Sequence, residues 1–296
     1  MSKSLNVVCF GEILWDLFPD GKALGGAPLN VCLRLLSLKA KVKMVSRLGT
    51  DALAEETLAV LDKYDLPQEF IQEDDDLETG QVEVTLDKTG SATYVIKEPV
   101  AWDNIALTEA NQKGVAEADI FIFGSLAARS ESSRNTLKEL LDVAKNAVFD
   151  VNFRAPHYDL NEVVNLMQLA QFIKMNEEEL EEVKSFLRIN SATMEDSLKA
   201  IAERTNTSSI CVTCGSAGAV LWQNDHLYTH PGFSTTVVDT VGAGDSFLAG
   251  LIYSLDKDND PAQALAFGCA LGALVAGKKG ANPEISLELI HQKMAE

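Results

Sequence analysis

The sequence predicts an α/β fold in which a largely parallel sheet is covered by helices. Three observations carry this. Short apolar runs alternate with segments of helical periodicity along most of the chain, the pattern of strand–helix–strand units. The length of 296 residues, with 46% hydrophobic and 23% charged residues, suits an ordinary globular chain with a large core. One stretch, residues 80–97, breaks the rhythm and reads as a β-hairpin outside the main sheet.

Taken in order, 5–10 (LNVVCF) is a buried strand ending at Gly11. In GGAPLNVCLRLLSL, Leu29, Cys32, Leu33 and Leu36 fall at i, i+3, i+4 and i+7, one face of a helix. KVKMVSRLG is the next strand and 52–64 a helix, and the acidic run QEDDDLE (72–78) reads as a solvated loop. In the hairpin, GQVEVTL alternates apolar and polar residues, DKTG is a turn and SATYVI resumes as a strand. Then come the strand ADIFIFG, a helix over 130–145, the strand AVFDVN, a helix over 160–169 and the strand QFIKMN. Helices follow from 177 and over 194–204; SSICVTCG, AGAVLWQ and HLYTH are strands. The last helices span 243–256, 261–277 and 286–294. There is no internal repeat and no low-complexity linker.

The formal net charge is −19, from 25 basic and 44 acidic residues. Such a chain lacks the basic face that nucleic acid or an anionic membrane requires, so neither is an expected partner. The N-terminus lacks a signal-peptide layout, and no apolar run reaches the length of a membrane span. Five cysteines, at 9, 32, 211, 214 and 269, sit in apolar surroundings and fit reduced thiols in the cytoplasm. Cys211 and Cys214 form a C-x-x-C, but no second cysteine or histidine pair lies nearby to complete a zinc site, so core thiols are expected.

VVDTVGAGDSFLAG (237–250) is the stretch that carries chemistry. Gly242, Ala243 and Gly244 stand between a strand-like segment and a helix. Phe247, Leu248, Leu251, Ile252 and Leu255 share one face of that helix. Glycines there let backbone approach a ligand, and the free N–H groups of a first helical turn bind anions. Asp245 can serve the helix dipole as an ordinary first-turn acid. It can also take a proton from a nucleophile that attacks an anion held beside it, which is the layout of phosphoryl transfer. Neither G-x-x-x-x-G-K-[ST] nor G-x-G-x-x-G is present, so a P-loop enzyme or a dinucleotide dehydrogenase is not indicated.

DTVGAGDSFLAG resembles the C-terminal signature of the PfkB (ribokinase-like) family of carbohydrate kinases. GGAPLNVCLRLLSLKAKVKMVSRLGTD (25–51) resembles its N-terminal signature. The resemblance spans from Gly11 to about Pro283. It implies a ribokinase-like three-layer α/β/α sandwich, mostly parallel in its central sheet. Residues 1–296 would form a single kinase domain with a small β-sheet lid from about 12–24 and 79–103. Asp245 would be the catalytic base, deprotonating a primary hydroxyl that attacks the γ-phosphate of ATP. The backbone of Gly242, Ala243 and Gly244 would be the anion hole, with Mg²⁺ sharing the charge.

Other positions follow from the same resemblance. Asp16 would grip sugar hydroxyls, Gly25 and Gly26 would admit the sugar to the backbone, and Asn30 would bind it through its amide. Asp150, Asn152 and Arg154 fit the pattern D-x-N-x-R, with Asn152 on the sugar and Arg154 on sugar or phosphate oxygens. Asn176 and Glu179 match N-x-x-E, with Glu179 tied to Mg²⁺ through water; a helix start also favours acids there. Thr213, Gly215 and Gly218 match a T-x-G-x-x-G turn near the nucleotide and equally suit a plain hairpin. Asp239 and the carbonyl of Val241 would hold a monovalent cation such as K⁺, although Glu284 stands where relatives carry a small hydroxyl residue.

GGAP with Pro28, and GEILWDLFP, look like the fructokinase branch, which implies D-fructose as substrate and fructose 6-phosphate as product. Ribose, 2-keto-3-deoxygluconate or a nucleoside are the alternatives within the family. A non-catalytic sugar sensor on the same fold is the alternative from another class. Trp15, Phe18, Tyr94 and Trp102 are expected to cluster around the lid. An exposed lid edge points to a homodimer.

Overall fold

Strand β1 (Asn6–Phe10) shows how the core is divided: Val7 and Cys9 pack on one side of it, Val8 and Phe10 on the other. The side-chain period of two feeds both faces, which is why Val7 to Phe10 are all apolar. The computed structural model describes residues 4–86, 92–257 and 260–296. After β1 come β2 (Leu14–Phe18), β3 (Gly21–Gly25), α1 (Ala27–Ser37), β4 (Lys41–Gly49) and α2 (Ala52–Lys63). The chain continues through β5 (Ile71–Asp74), β6 (Gly80–Leu86), β7 (Ala92–Ile96), α3 (Glu109–Glu117), β8 (Ile120–Gly124) and α4 (Glu131–Leu141). Then follow β9 (Ala147–Asp150), α5 (Leu160–Leu169), β10 (Phe172–Asn176), α6 (Glu177–Phe186) and α7 (Met194–Thr205). β11 (Ser209–Thr213), β12 (Ala219–Gln223), β13 (His226–His230), α8 (Ala243–Asp256), α9 (Pro261–Ala276) and α10 (Leu287–Met294) complete it.

Among the described residues, nine strands form the main sheet in the order β13-β12-β11-β10-β9-β8-β1-β4-β5. It is parallel from β5 to β11; only β12 and β13 run antiparallel. On one face, Leu137 of α4, Leu166 of α5, Leu180 of α6 and Ile201 of α7 pack with Phe121, Phe123 and Ile210. On the other, Leu29 of α1, Leu61 of α2, Leu248 of α8 and Leu265 of α9 pack with Ile122, Val148 and Cys211. The result is the expected three-layer arrangement with helices on both faces. A second, four-stranded sheet has the order β3-β2-β6-β7. β6 and β7 are the out-of-pattern hairpin; its DKTG turn lies outside the described residues.

Several boundaries differ from the sequence reading for local reasons. AVFDVN stops being a strand at Asp150, and Asn152 has φ 41°, in the left-handed region. The helix expected over 130–145 ends at Leu141. The acidic run is not wholly a solvated loop. Its first residues form β5 on the sheet edge, and Asp74 is buried, pairing with Arg47 at 3.0 Å and accepting from Asn104 Nδ2 at 3.0 Å. The four aromatics do lie about the small sheet, Trp15 and Phe18 on β2, Tyr94 on β7 and Trp102 against Gly80 of β6, but they do not form one cluster. Trp102 is buried in the main core with the Arg129 guanidinium over its ring, and buried Trp15 donates to Thr57 Oγ1 of α2 at 2.9 Å. Phe18 and Tyr94 are exposed. Cys211 is buried, Cys214 half-buried, and both are free thiols held above the usual range chiefly by burial.

Candidate active site

Parallel strands bring their carboxyl ends to one edge of the sheet, where ligands of such folds sit. β1 runs out through Gly11 into Glu12, β9 through Asp150 towards Asn152 and Arg154. β10 ends at Asn176, which stands opposite Thr213 of β11. The start of α8 faces this edge, with Gly244 close to Lys174 of β10.

α8 begins after Gly242, whose φ of 74° is left-handed. A Cβ there would also come within 2.6 Å of Ala281, so both conformation and space require glycine. The Ala243 N–H donates back to Thr240 O at 3.2 Å. Among the described residues, the N–H groups of Gly242 and Gly244 have no protein acceptor, as first-turn donors characteristically do not. Two of the three expected anion-hole donors are therefore available and one is engaged in the turn.

Asp245 follows in the same first turn. Its Oδ2 accepts from Asn30 Nδ2 at 2.8 Å, and Asn30 Oδ1 accepts from Asn282 Nδ2 at 2.9 Å. The amide is thus oriented from both ends, and it presents a donor to the carboxylate. Burial, and then the negative charge of Asp150, push the Asp245 carboxyl up to about 6; Lys174, Asn30 and Arg154 pull the other way. A carboxylate with that proton affinity is mostly ionised at neutral pH and still basic enough to accept a proton.

Asp16 lies on β2 opposite β3, and a Cβ on Gly25 would sit 3.1 Å from its Oδ2. Gly26 caps α1 with φ 113°, and any side chain there would run into the carbonyl oxygen of Glu12. Arg154 is exposed, and its charge is felt by Asp16, Asp245 and Glu12 alike. Asp16, Gly25, Gly26, Asn30, Arg154 and Asp245 therefore share one locale. Asn152 lies two residues from Arg154, and its carbonyl accepts from Ser125 Oγ at 3.4 Å.

Asn176 and Glu179 cap the start of α6 reciprocally: Asn176 Oδ1 accepts from the Glu179 N–H at 2.9 Å, and Glu179 Oε2 from the Asn176 N–H at 2.8 Å. Glu179 Oε1 also accepts from the Phe153 N–H at 2.9 Å. With both oxygens engaged, Glu179 suits a contact to metal-bound water better than direct ligation. No group of three or more His, Cys, Asp or Glu among the described residues forms a cage for a metal. This donor chemistry fits Mg²⁺, which keeps most of its waters and binds through phosphate oxygens. Gly215 and Gly218 have φ 54° and 91°, and a side chain on Gly218 would strike the backbone of His230, so the turn after β11 needs glycine there.

The Asp239 carboxylate accepts from the Val241 N–H at 3.0 Å and from the Gly280 N–H at 2.9 Å, tying the segment before α8 to the loop after α9. Val241 is exposed. The Glu284 carbonyl accepts from Lys278 Nζ at 2.8 Å, while its side chain is exposed.

Four residues beside this site escaped the sequence reading. Glu12 is 3% exposed, with Oε1 accepting from the Ala27 N–H at 3.2 Å and Oε2 buried without a partner. Lys174 is buried and pairs with Asp150 at 2.9 Å. Arg34 joins α1 to α8 through Ser246 Oγ at 3.0 Å and to the Pro283 carbonyl at 3.1 Å. Asn282 orients Asn30. A lone charge inside an apolar strand (QFIKMN) and inside an apolar helix (CLRLL) was the available signal for Lys174 and Arg34.

Residues 6–287 match the family described as pfkB family carbohydrate kinase. Fructokinase-2 of Solanum lycopersicum is 30% identical, over 96% of this chain and 94% of that protein. A double mutant of fructokinase from Vibrio cholerae O395, in a form bound to fructose, ADP and potassium ion, superposes with a TM-score of 0.84 at 23% identity. That match covers 99% of this chain and all of the other, 100%. The 2-dehydro-3-deoxygluconokinase of Thermotoga maritima superposes with a TM-score of 0.85 at 20% identity, covering 99% of each chain. At these identities the structural likenesses establish the fold alone, and they do so equally for two different named sugars.

Proposed function

The chain belongs to the pfkB family of carbohydrate kinases, and from that premise we propose that it transfers the γ-phosphate of ATP to the 6-hydroxyl of D-fructose. The observation that carries this is the pairing of a poised carboxylate, Asp245, with free N–H donors in the same helical turn. An anion bound there repels the carboxylate beside it, and an acid in that place serves a purpose as the acceptor of the proton from a hydroxyl that attacks the phosphoryl group. Mg²⁺, when bound, neutralises phosphate charge, with Glu179 holding its water.

Asp245 accepts the hydroxyl proton at Oδ1 or Oδ2, while Asn30 keeps the carboxylate turned towards the acceptor. Gly242 and Gly244 N–H groups receive the charge that develops on the phosphoryl oxygens. Asp16 accepts from sugar hydroxyls, its two oxygens suiting a vicinal diol. Gly25 and Gly26 leave room for the ring, Asn152 adds an amide, and Arg154 donates from the open side. Asn176, Thr213, Gly215 and Gly218 line the nucleotide's position at the ends of β10 and β11.

Fructose is favoured over other sugars by the GGAP and GEILWDLFP segments and by the fructokinase relatives at about the same length. The second reading is a kinase for 2-keto-3-deoxygluconate, supported by the equal likeness to the Thermotoga enzyme. We further read residues 1–296 as one kinase domain with the small sheet as its lid. A homodimer pairing through the lid is supported by the exposure of Tyr94 and Val95 on β7. K⁺ beside Asp239 and Val241 is supported by the loop from Gly280 to Glu284 that closes over Asp239. A cytoplasmic location is supported by five free cysteines, and no helix among the described residues is long and apolar enough to cross a membrane.

The test is a coupled ADP-release assay with Mg-ATP on fructose, ribose, 2-keto-3-deoxygluconate, tagatose, glucose and adenosine, with and without potassium. Fructose alone should respond strongly. Turnover of another acceptor instead would replace the substrate, and silence on all six would remove the kinase reading for these acceptors.

A further inference from the structure

A buried ion pair beside the reacting carboxylate has no part in the proposed transfer step. Lys174 Nζ lies 3.5 Å from where a Cβ on Gly244 would be, directly beneath the glycine turn, and donates to Asp150 Oδ1 at 2.9 Å. Lys174 is 6% exposed and Asp150 4%, and Asp150 Oδ2 is buried with no partner. A buried ion pair with an unsatisfied oxygen is a poor device for stability, because desolvation offsets most of its attraction. It is held here on two adjacent strands, β9 and β10, in direct register.

We propose that Lys174 and Asp150 are positioning residues for the transfer step, Lys174 supporting the ionised form of Asp245 from beneath the turn and Asp150 opposing it. The proposal rests on the reading of Asp245 as the base. The groups that face Asp245 are Asp150 on β9, Lys174 on β10, Arg154 in the loop after β9, Glu12 after β1 and Asn30 on α1. Glu179, at the start of α6, acts on Lys174. Burial works against the Lys174 ammonium, but Asp150, Glu179 and Asp245 around it hold its proton above the ordinary lysine range. It is therefore a fixed cation at working pH. Asp150 and Lys174 then act on Asp245 in opposite directions, and a kinase that loses one of them should have its base mistuned in a direction set by which was lost.

The test measures Asp245 itself. Aspartate ¹³C-labelled at the carboxyl is followed by NMR through a pH titration, with Asp245→Asn identifying its signal. Lys174→Met should raise the Asp245 midpoint by about one pH unit, and Asp150→Asn should lower it by a similar amount. Lys174→Met leaves Asp150 buried and unpaired, so the Lys174→Met/Asp150→Asn double variant keeps the test independent of that protein's folding. Its midpoint should lie above that of Asp150→Asn alone. The acid limb of kcat/KM for the responding sugar should move with each midpoint. Midpoints that stay within about 0.3 unit of the wild type, or that move in the same direction in both single variants, would overturn the proposal. So would midpoints that split while the rate limb stays fixed. Split midpoints in a protein that phosphorylates no sugar would instead uphold the electrostatics and remove the kinase reading on which it was built.

Discussion

Glu12→Gln should stabilise the protein at alkaline pH and do little at acid pH. Burial pushes the Glu12 carboxyl from 4.5 to about 7, against the Ala27 N–H and the Arg154 charge, and Asp245 adds to the rise. The folded state thus binds a proton that the unfolded state releases. Stability from a raised carboxyl is fully present below about pH 4.5 and is lost as pH rises through about 7. A shift of that size corresponds to about 3 kcal/mol at pH 8 and to under about 1 kcal/mol at pH 5. Glutamine mimics the protonated acid: its carbonyl can still accept from Ala27, and its amide occupies the Oε2 position as the acid's hydroxyl would. For 296 residues, an unfolding entropy of roughly 2 cal/mol/K per residue turns 3 kcal/mol into a Tm rise of about 5 °C at pH 8. Differential scanning calorimetry of both proteins at pH 5 and pH 8 measures it. An equal Tm difference at the two pH values, or a loss of stability at pH 8, would refute the assignment of a buried, reluctantly ionised carboxyl to this position.

The rate should depend on pH through Asp245. Only the ionised form accepts a proton, so kcat/KM should fall tenfold per unit as pH drops below about 6, as a pH-rate profile reads directly. Gly26→Ala combines a φ of 113° with a collision against the Glu12 backbone, and should cost about 3 kcal/mol or more in denaturant unfolding while weakening sugar binding. Cys211→Ser and Cys214→Ser should leave sugar phosphorylation within about twofold of the parent under reducing and oxidising conditions alike, since neither thiol lies among the proposed site residues. A large loss on either substitution would overturn the reading of both residues as core thiols.

The main sheet was readable because each central strand is buried on both faces and each helix on one, so apolar runs of strand length alternate with helical stripes. β1 and α1 show this in adjacent segments. What was not readable depended on partners distant in sequence. β5 is a strand because β4 pairs with it, although its residues Gln72, Glu73 and Asp74 are polar. Trp102 belongs to the core because Arg129 covers it, which nothing in the lid segment announces. In the site, the glycines and Asp245 stood out through their spacing. Glu12, Lys174 and Asn282 act through contacts that span from 15 to 252 residues of chain, or across neighbouring strands, and periodicity carries no trace of these.

Asp245→Asn tests the central claim most directly, with turnover and sugar affinity measured on the same preparation. The amide keeps the shape of the carboxylate and cannot take the proton. ADP release with Mg-ATP and fructose should fall by about 10²–10⁴-fold, while fructose binding by calorimetry stays within a few-fold of the parent. Turnover that survives the substitution would show that Asp245 is not the base. Loss of sugar binding together with turnover would show that it holds the acceptor rather than activating it.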